Sequence, residues 1–129
     1  MDEPVREAPV TAPDNRLPDR AAELLAEARQ GQNAFEAALP DARARAAAAG
    51  AATSEGWIQA QMALSRLEAA RAPTVTALAQ LDALIVARAG IPTNPDGLAA
   101  LQDVMETAAE LARGQQEAID RIRASLSPA

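Results

Sequence analysis

The sequence predicts an all-α protein, an elongated up-down-up bundle of three helices. Three observations carry that prediction. Alanine, the strongest helix former, fills 35 of 129 positions, while glycine fills only 6. Strand-favouring aromatics are nearly missing, with one Trp, one Phe and no Tyr. Apolar residues recur at three-and-four spacing through three long stretches, separated by turn-rich breaks.

Residues 1–16 read as a tail. Pro4, Pro9 and Pro13 recur every four or five residues with charges between them. Each proline removes a backbone donor and crowds the preceding turn, so the stretch is expected to be extended and partly polyproline-like. The helical bundle is assigned to residues 17–127.

The first helix is predicted over 18–49. Pro18 at the first helical position and Asp19 behind it suit a helix start. Its inward set is Leu17, Ala21, Leu24, Ala28, Phe35, Ala38, Leu39, Ala42 and Ala46. Pro40 falls inside this pattern and is expected to kink the helix or to start a second segment.

The second helix is predicted over 54–89, capped by Thr53 or Ser54, with Glu55 in its first turn. Trp57, Ala60, Leu64, Leu67, Thr74, Leu78, Leu81 and Ile85 share its inward phase. Because that phase continues past Pro73, the sequence favours one kinked helix over two. Gly90 ends it.

Two Gly, two Pro, Asn94 and Asp96 make residues 90–97 the clearest loop. The third helix follows over 96–126. Its inward set is Leu98, Leu101, Met105, Ala108, Leu111 or Ala112, Gln115, Ile119, Ile122 and Leu126. At 1.5 Å per residue the three rods are roughly 45–55 Å long, and their short connections make neighbours antiparallel.

Bulk is unevenly shared. The first helix has only Leu24, Leu25, Phe35 and Leu39 as large apolar residues, so it must approach its neighbours closely through alanine. The second has a surplus, since Ile58, Met62, Val75 and Val86 lie off its inward stripe. The sequence favours an internal use for that surplus at the bundle's centre; the alternative is a dimer or partner surface. Trp57 is expected to plug one end of the bundle over the alanines at 46–49.

Folding the chain back at its two turns brings Gln32, Arg71 and Gln115 to one height, with Gly31, Pro73 and Gly114 beside them. Three readings of this polar waist stand open. It is a small polar-ligand pocket, a buried layer that fixes helix register, or a set of solvated side chains.

The missing residue types exclude much chemistry. The chain has no His, Cys, Tyr or Lys; all 12 of its basic residues are Arg. Ser54, Ser65, Ser125 and Ser127 therefore have no side-chain base of the usual kinds. The acid pairs Glu23/Glu27, Glu106/Glu110 and Asp103/Glu106 have helical spacing but lack the His of helical metal sites. Asn94, Pro95, Asp96 and Gly97 lack the alternating ligands of a calcium loop. No cofactor, metal or catalytic residue is assigned, and an enzyme is not expected. A net charge of −6 with no basic stripe speaks against nucleic acid and anionic membrane surfaces. No apolar run is long enough for a transmembrane segment.

The expectation is a non-enzymatic helical interaction or scaffold protein with a protein partner. The acidic, Pro-spaced tail suits a tether. A periplasmic setting, with a signal or lipid anchor preceding Met1, is therefore favoured over a cytoplasmic one. The alternatives are a cytosolic adaptor that homodimerises through its second helix, or a polar-ligand binder at the waist.

Overall fold

A computed structural model describes the backbone of residues 3–91 and 95–126, and the side chains of 16–91 and 95–126. Four helices follow one another: α1 Glu3–Ala47, α2 Glu55–Ala70, α3 Ala72–Ala87 and α4 Pro95–Leu126. α2 and α3 are two halves of one rod, so the architecture is a three-helix bundle. α1 packs against each of the other helices. Its direction is opposed by α2–α3 and shared by α4, giving the up-down-up order. Among the described residues no strand occurs.

The proline-rich segments depart from expectation. The stretch read as an extended tail is helical from Glu3. Pro4 stands in the first turn, where no donor is needed. Pro9 and Pro13 each delete one bond, while the Arg, Glu and Ala residues around them keep the helix going. At Pro40 α1 continues without a second segment. The donor lost there would have served the carbonyl of Glu36, and both residues are exposed, so water can take its place.

At Pro73 the expected single kinked helix is divided by one residue. Arg71 closes α2, its N–H turning back to the carbonyls of Glu68 and Ala69, and α3 starts at Ala72 with Pro73 in its first turn. Pro73 cannot donate to Ala69, so the interruption falls where the ladder would break in any case. The buried phase nevertheless runs on, through Ala60, Leu64 and Leu67 before the break and Thr74, Ala77 and Leu81 after it.

The tight α1–α2 turn uses Gly50 at φ 73, a conformation open to glycine without strain. Ser54 is the cap: its Oγ accepts from the Trp57 N–H at 3.3 Å and donates to the Ala49 carbonyl at 3.0 Å. Thr53 has left-handed backbone and is not the cap. Ser54→Ala is expected to cost about 1 kcal/mol. Urea unfolding followed by the fluorescence of Trp57, the only tryptophan, measures it. Trp57 is half-buried and donates from Nε1 to the Leu126 carbonyl at 3.1 Å, tying the start of α2 to the end of α4. The end plug is thus in place, packed against the core cluster that holds Ala42, Ala49 and Leu126.

Two apolar cores result. One holds Phe35, Leu64, Leu67, Ile119, Ile122 and Leu126. The other holds Leu17, Leu24, Leu81 and Leu101 with Ala21, Ala28, Ala77 and Ala108. Every predicted inward residue of the first helix is buried or half-buried, and five of the nine are alanines. Residues 92–94 of the predicted loop, and the chain end from Ser127, lie outside the described residues.

Candidate functional site

Between the two cores lies a polar layer. Gln115 on α4 is 1% exposed and Thr74 on α3 is fully buried; they are the two buried polar side chains among the described residues. The Gln115 amide donates to Gln32 Oε1 at 2.9 Å and to Thr74 Oγ1 at 3.1 Å. Its Oε1 accepts from Arg71 Nε at 3.3 Å. The Thr74 hydroxyl donates to the Ala28 carbonyl on α1 at 2.7 Å. Arg71 also donates to the Ala112 carbonyl at 3.0 Å and to the Gln116 side chain. Gln32 donates in turn to Glu36 at 2.7 Å.

The structure therefore brings Gln32, Arg71 and Gln115 together, as the folded-back register predicts. It excludes the solvated reading for Gln115, while Gln32 and Arg71 are half-buried. Sequence reasoning missed the role of Thr74. Its inward phase is legible in the sequence, and a polar residue one turn from Arg71 on an apolar stripe is the signal that marks its hydroxyl. Pro73 takes a donor from the Ala69 carbonyl, which a nearby Arg71 or Gln side chain could replace. The Arg71 side chain crosses to α4 instead, since Ala69 already receives the Arg71 backbone N–H.

The bonding leaves this layer closed. Both Gln115 amide protons and the Thr74 hydroxyl proton have partners, and α1, α3 and α4 each contribute. A one-residue slide of any rod would leave buried polar atoms unpaired, at about 1–3 kcal/mol each. That is what a register lock does. Gly31 makes room for it. A Cβ there would stand 2.3 Å from Thr74 Oγ1 and 2.5 Å from Thr74 N, so α1 and α3 touch backbone to backbone at this level. Gly114 has no such duty, because a Cβ there meets nothing within 4 Å. A cleft of about 380 Å³ lies beside it between α1 and α4, with Gln32 and Gln115 in its wall.

The second candidate is the outer face of α2–α3. Ile58, Met62, Val75 and Val86 are 47%, 50%, 44% and 63% exposed. The expected internal use of this surplus does not hold. α2–α3 meets its two neighbour rods on one side only, which Ala60, Leu64, Leu67 and Leu81 already occupy. Ile91, in the turn after α3, is a further exposed apolar residue that sequence reasoning left out.

The exposed side has its own spacing. Ile58, Met62, Ser65, Ala69, Ala72, Thr76, Ala79, Ala83 and Val86 alternate steps of four and three along the rod, and all nine are exposed. None is charged. The corresponding outer stripe of α4 reads Asp103, Glu106, Glu110, Arg113, Glu117 and Asp120, every one charged and exposed.

Several of the remaining charges pair on the surface. Arg45 meets Asp41 at 3.0 Å, Arg20 meets Glu23 at 3.1 Å, and Arg123 bridges α4 to Glu68 of α2. Such exposed pairs contribute a few tenths of a kcal/mol each. Among the described residues no group of three His, Cys, Asp or Glu side chains is placed to hold a metal ion. No described helix is long and apolar enough to cross a membrane. Compared with known proteins, the chain matches no family model, no curated protein and no solved structure.

Proposed function

We propose that this protein is a non-enzymatic helical interaction module whose working surface is the outer face of α2–α3. The observation that carries the reading is the contrast between two rods of one bundle. α4 turns a fully charged stripe to water, whereas α2–α3 turns out an uncharged one with a seven-residue repeat. Isolated exposed apolar residues are ordinary, but a continuous charge-free stripe at coiled-coil spacing fits a packed helix.

The closed polar layer supports the same reading. Its buried groups serve each other, which suits register and leaves little for a ligand. Catalysis is disfavoured by the residue types the chain lacks. The proposal rests on the surface chemistry of the described residues alone.

A photoreactive residue at Met62 tests it. In the cell of origin it is expected to give one discrete cross-linked product, while the same group at Glu110 on α4 gives none. Equal labelling from both positions, or none from Met62, overturns the reading.

A further inference from the structure

We infer that the partner on this face is a second copy of the chain, packed antiparallel along the α2–α3 stripe about a two-fold axis near Ala69 and Ala72. The inference rests on the interaction-surface reading above and names its partner.

The first argument is the order of sizes. Ile58 and Met62 stand at one end of the stripe, Ala69, Ala72, Ala79 and Ala83 fill its middle and far half, and Val86 closes the far end. A parallel pair would stack Ile58 on Ile58 and Met62 on Met62, forcing the rods apart there while the alanine layers need them close. An antiparallel pair sets Ile58 over Ala83 and Met62 over Ala79, with Ser65 opposite Thr76 and Ala69 opposite Ala72. Ile58 and Met62 then each meet a small residue, Val86 falls at the margin beside Glu55 of the other copy, and both halves of the interface are identical, as two-fold symmetry requires.

The second argument is charge. The chain carries −6 overall, so copies repel one another through most of their surfaces. The α2–α3 stripe is where they can meet without opposing like charges. A shallow cleft beside it is floored by Ala22 and Ala26 of α1 and edged by Ala72, Pro73 and Thr76, with Glu23, Glu27 and Arg29 also in its wall. Small side chains there let a second rod settle close to the bundle.

The third is area. A stripe of this length, about 40 Å by 10 Å, covers roughly 400 Å² per copy before the cleft is added. That lies at the low end for specific pairs, about 1,200 Å² in total or less, so the association is weak and reversible. Because the stripe itself carries no charge, added salt strengthens it by screening the mutual repulsion of the rest of the surface.

Sedimentation equilibrium and single-cysteine cross-linking test this together. The native chain has no cysteine, so each variant carries one thiol. The expected mass rises from one chain toward two as concentration rises to about 1 mM, the range of a weak pair. Met62→Glu, at an exposed site, abolishes the rise while leaving the melting temperature unchanged. Under oxidation Ala69→Cys or Ala72→Cys gives a disulfide dimer. Ile58→Cys does not, its two thiols standing roughly 35–40 Å apart. A strict monomer at every concentration, or preferential cross-linking through Ile58→Cys, overturns the inference. In the first case the interaction reading stands or falls separately. A Met62 photoproduct whose mass differs from two chains keeps that reading and excludes the second copy.

Discussion

Gly31→Ala is expected to lower stability by about 2 kcal/mol, and Gly114→Ala to raise it by about 0.5–1 kcal/mol. The two glycines sit at the same height on neighbouring rods, and the change is the same. Alanine is the better helix former at both, by up to about 1 kcal/mol. At Gly114 that gain is unopposed, because a Cβ there enters open space. At Gly31 the new methyl meets Thr74 backbone and hydroxyl at 2.5 and 2.3 Å, so α1 and α3 must part. Thr74 Oγ1 then moves away from the Ala28 carbonyl and the Gln115 amide. Overpacking costs of about 1–3 kcal/mol, with weakened buried hydrogen bonds, outweigh the propensity gain. Thermal unfolding should show a fall of several degrees for Gly31→Ala and a small rise for Gly114→Ala. A rise in both would mean the close approach at Gly31 is not real.

The second large effect is at Gln115. Gln115→Ala is expected to cost about 3 kcal/mol, through a cavity between the two cores and the loss of three hydrogen bonds. Gln115→Leu keeps the volume. Thr74 retains its bond to Ala28, Arg71 retains the Ala112 carbonyl, and half-buried Gln32 can turn to water. Its cost is therefore expected within about 1 kcal/mol, as for other buried polar groups exchanged for apolar ones of like shape. What the leucine variant should lose is uniqueness of alignment. Amide resonances of α3 and α4 near the layer are expected to broaden or double, while those near Trp57 stay sharp. Equal stability loss for Ala and Leu would assign the effect to the hydrogen bonds alone; unchanged spectra would deny the layer its role in register.

The buried stripes were legible because burial in a bundle follows a short period. Leu17, Ala21, Leu24 and Ala28 keep that period, and the fold buries all four. The meeting of Gln32, Arg71 and Gln115 was legible for a related reason: two short turns fix which residues come level, and nothing else is needed. Three features were not legible. The N-terminal helix runs through prolines whose cost is local, and no spacing rule weighs it against the helix formers between them. The break at Arg71 depends on where α2 finds an alternative acceptor, which is a matter of geometry. The surplus at Ile58, Met62, Val75 and Val86 could be placed inside or outside only once it was known which side of α2–α3 its two neighbours occupy.

Hydrogen exchange of the Gln115 side-chain amide, followed by NMR, tests most directly whether a closed polar layer aligns the three rods. Both Nε2 protons should exchange far more slowly than those of exposed Gln59 and Gln102, with through-space contacts to the side chains of Gln32 and Thr74. Exchange at the rate of the exposed glutamines, with no such contacts, would contradict the layer and the helix alignment built on it.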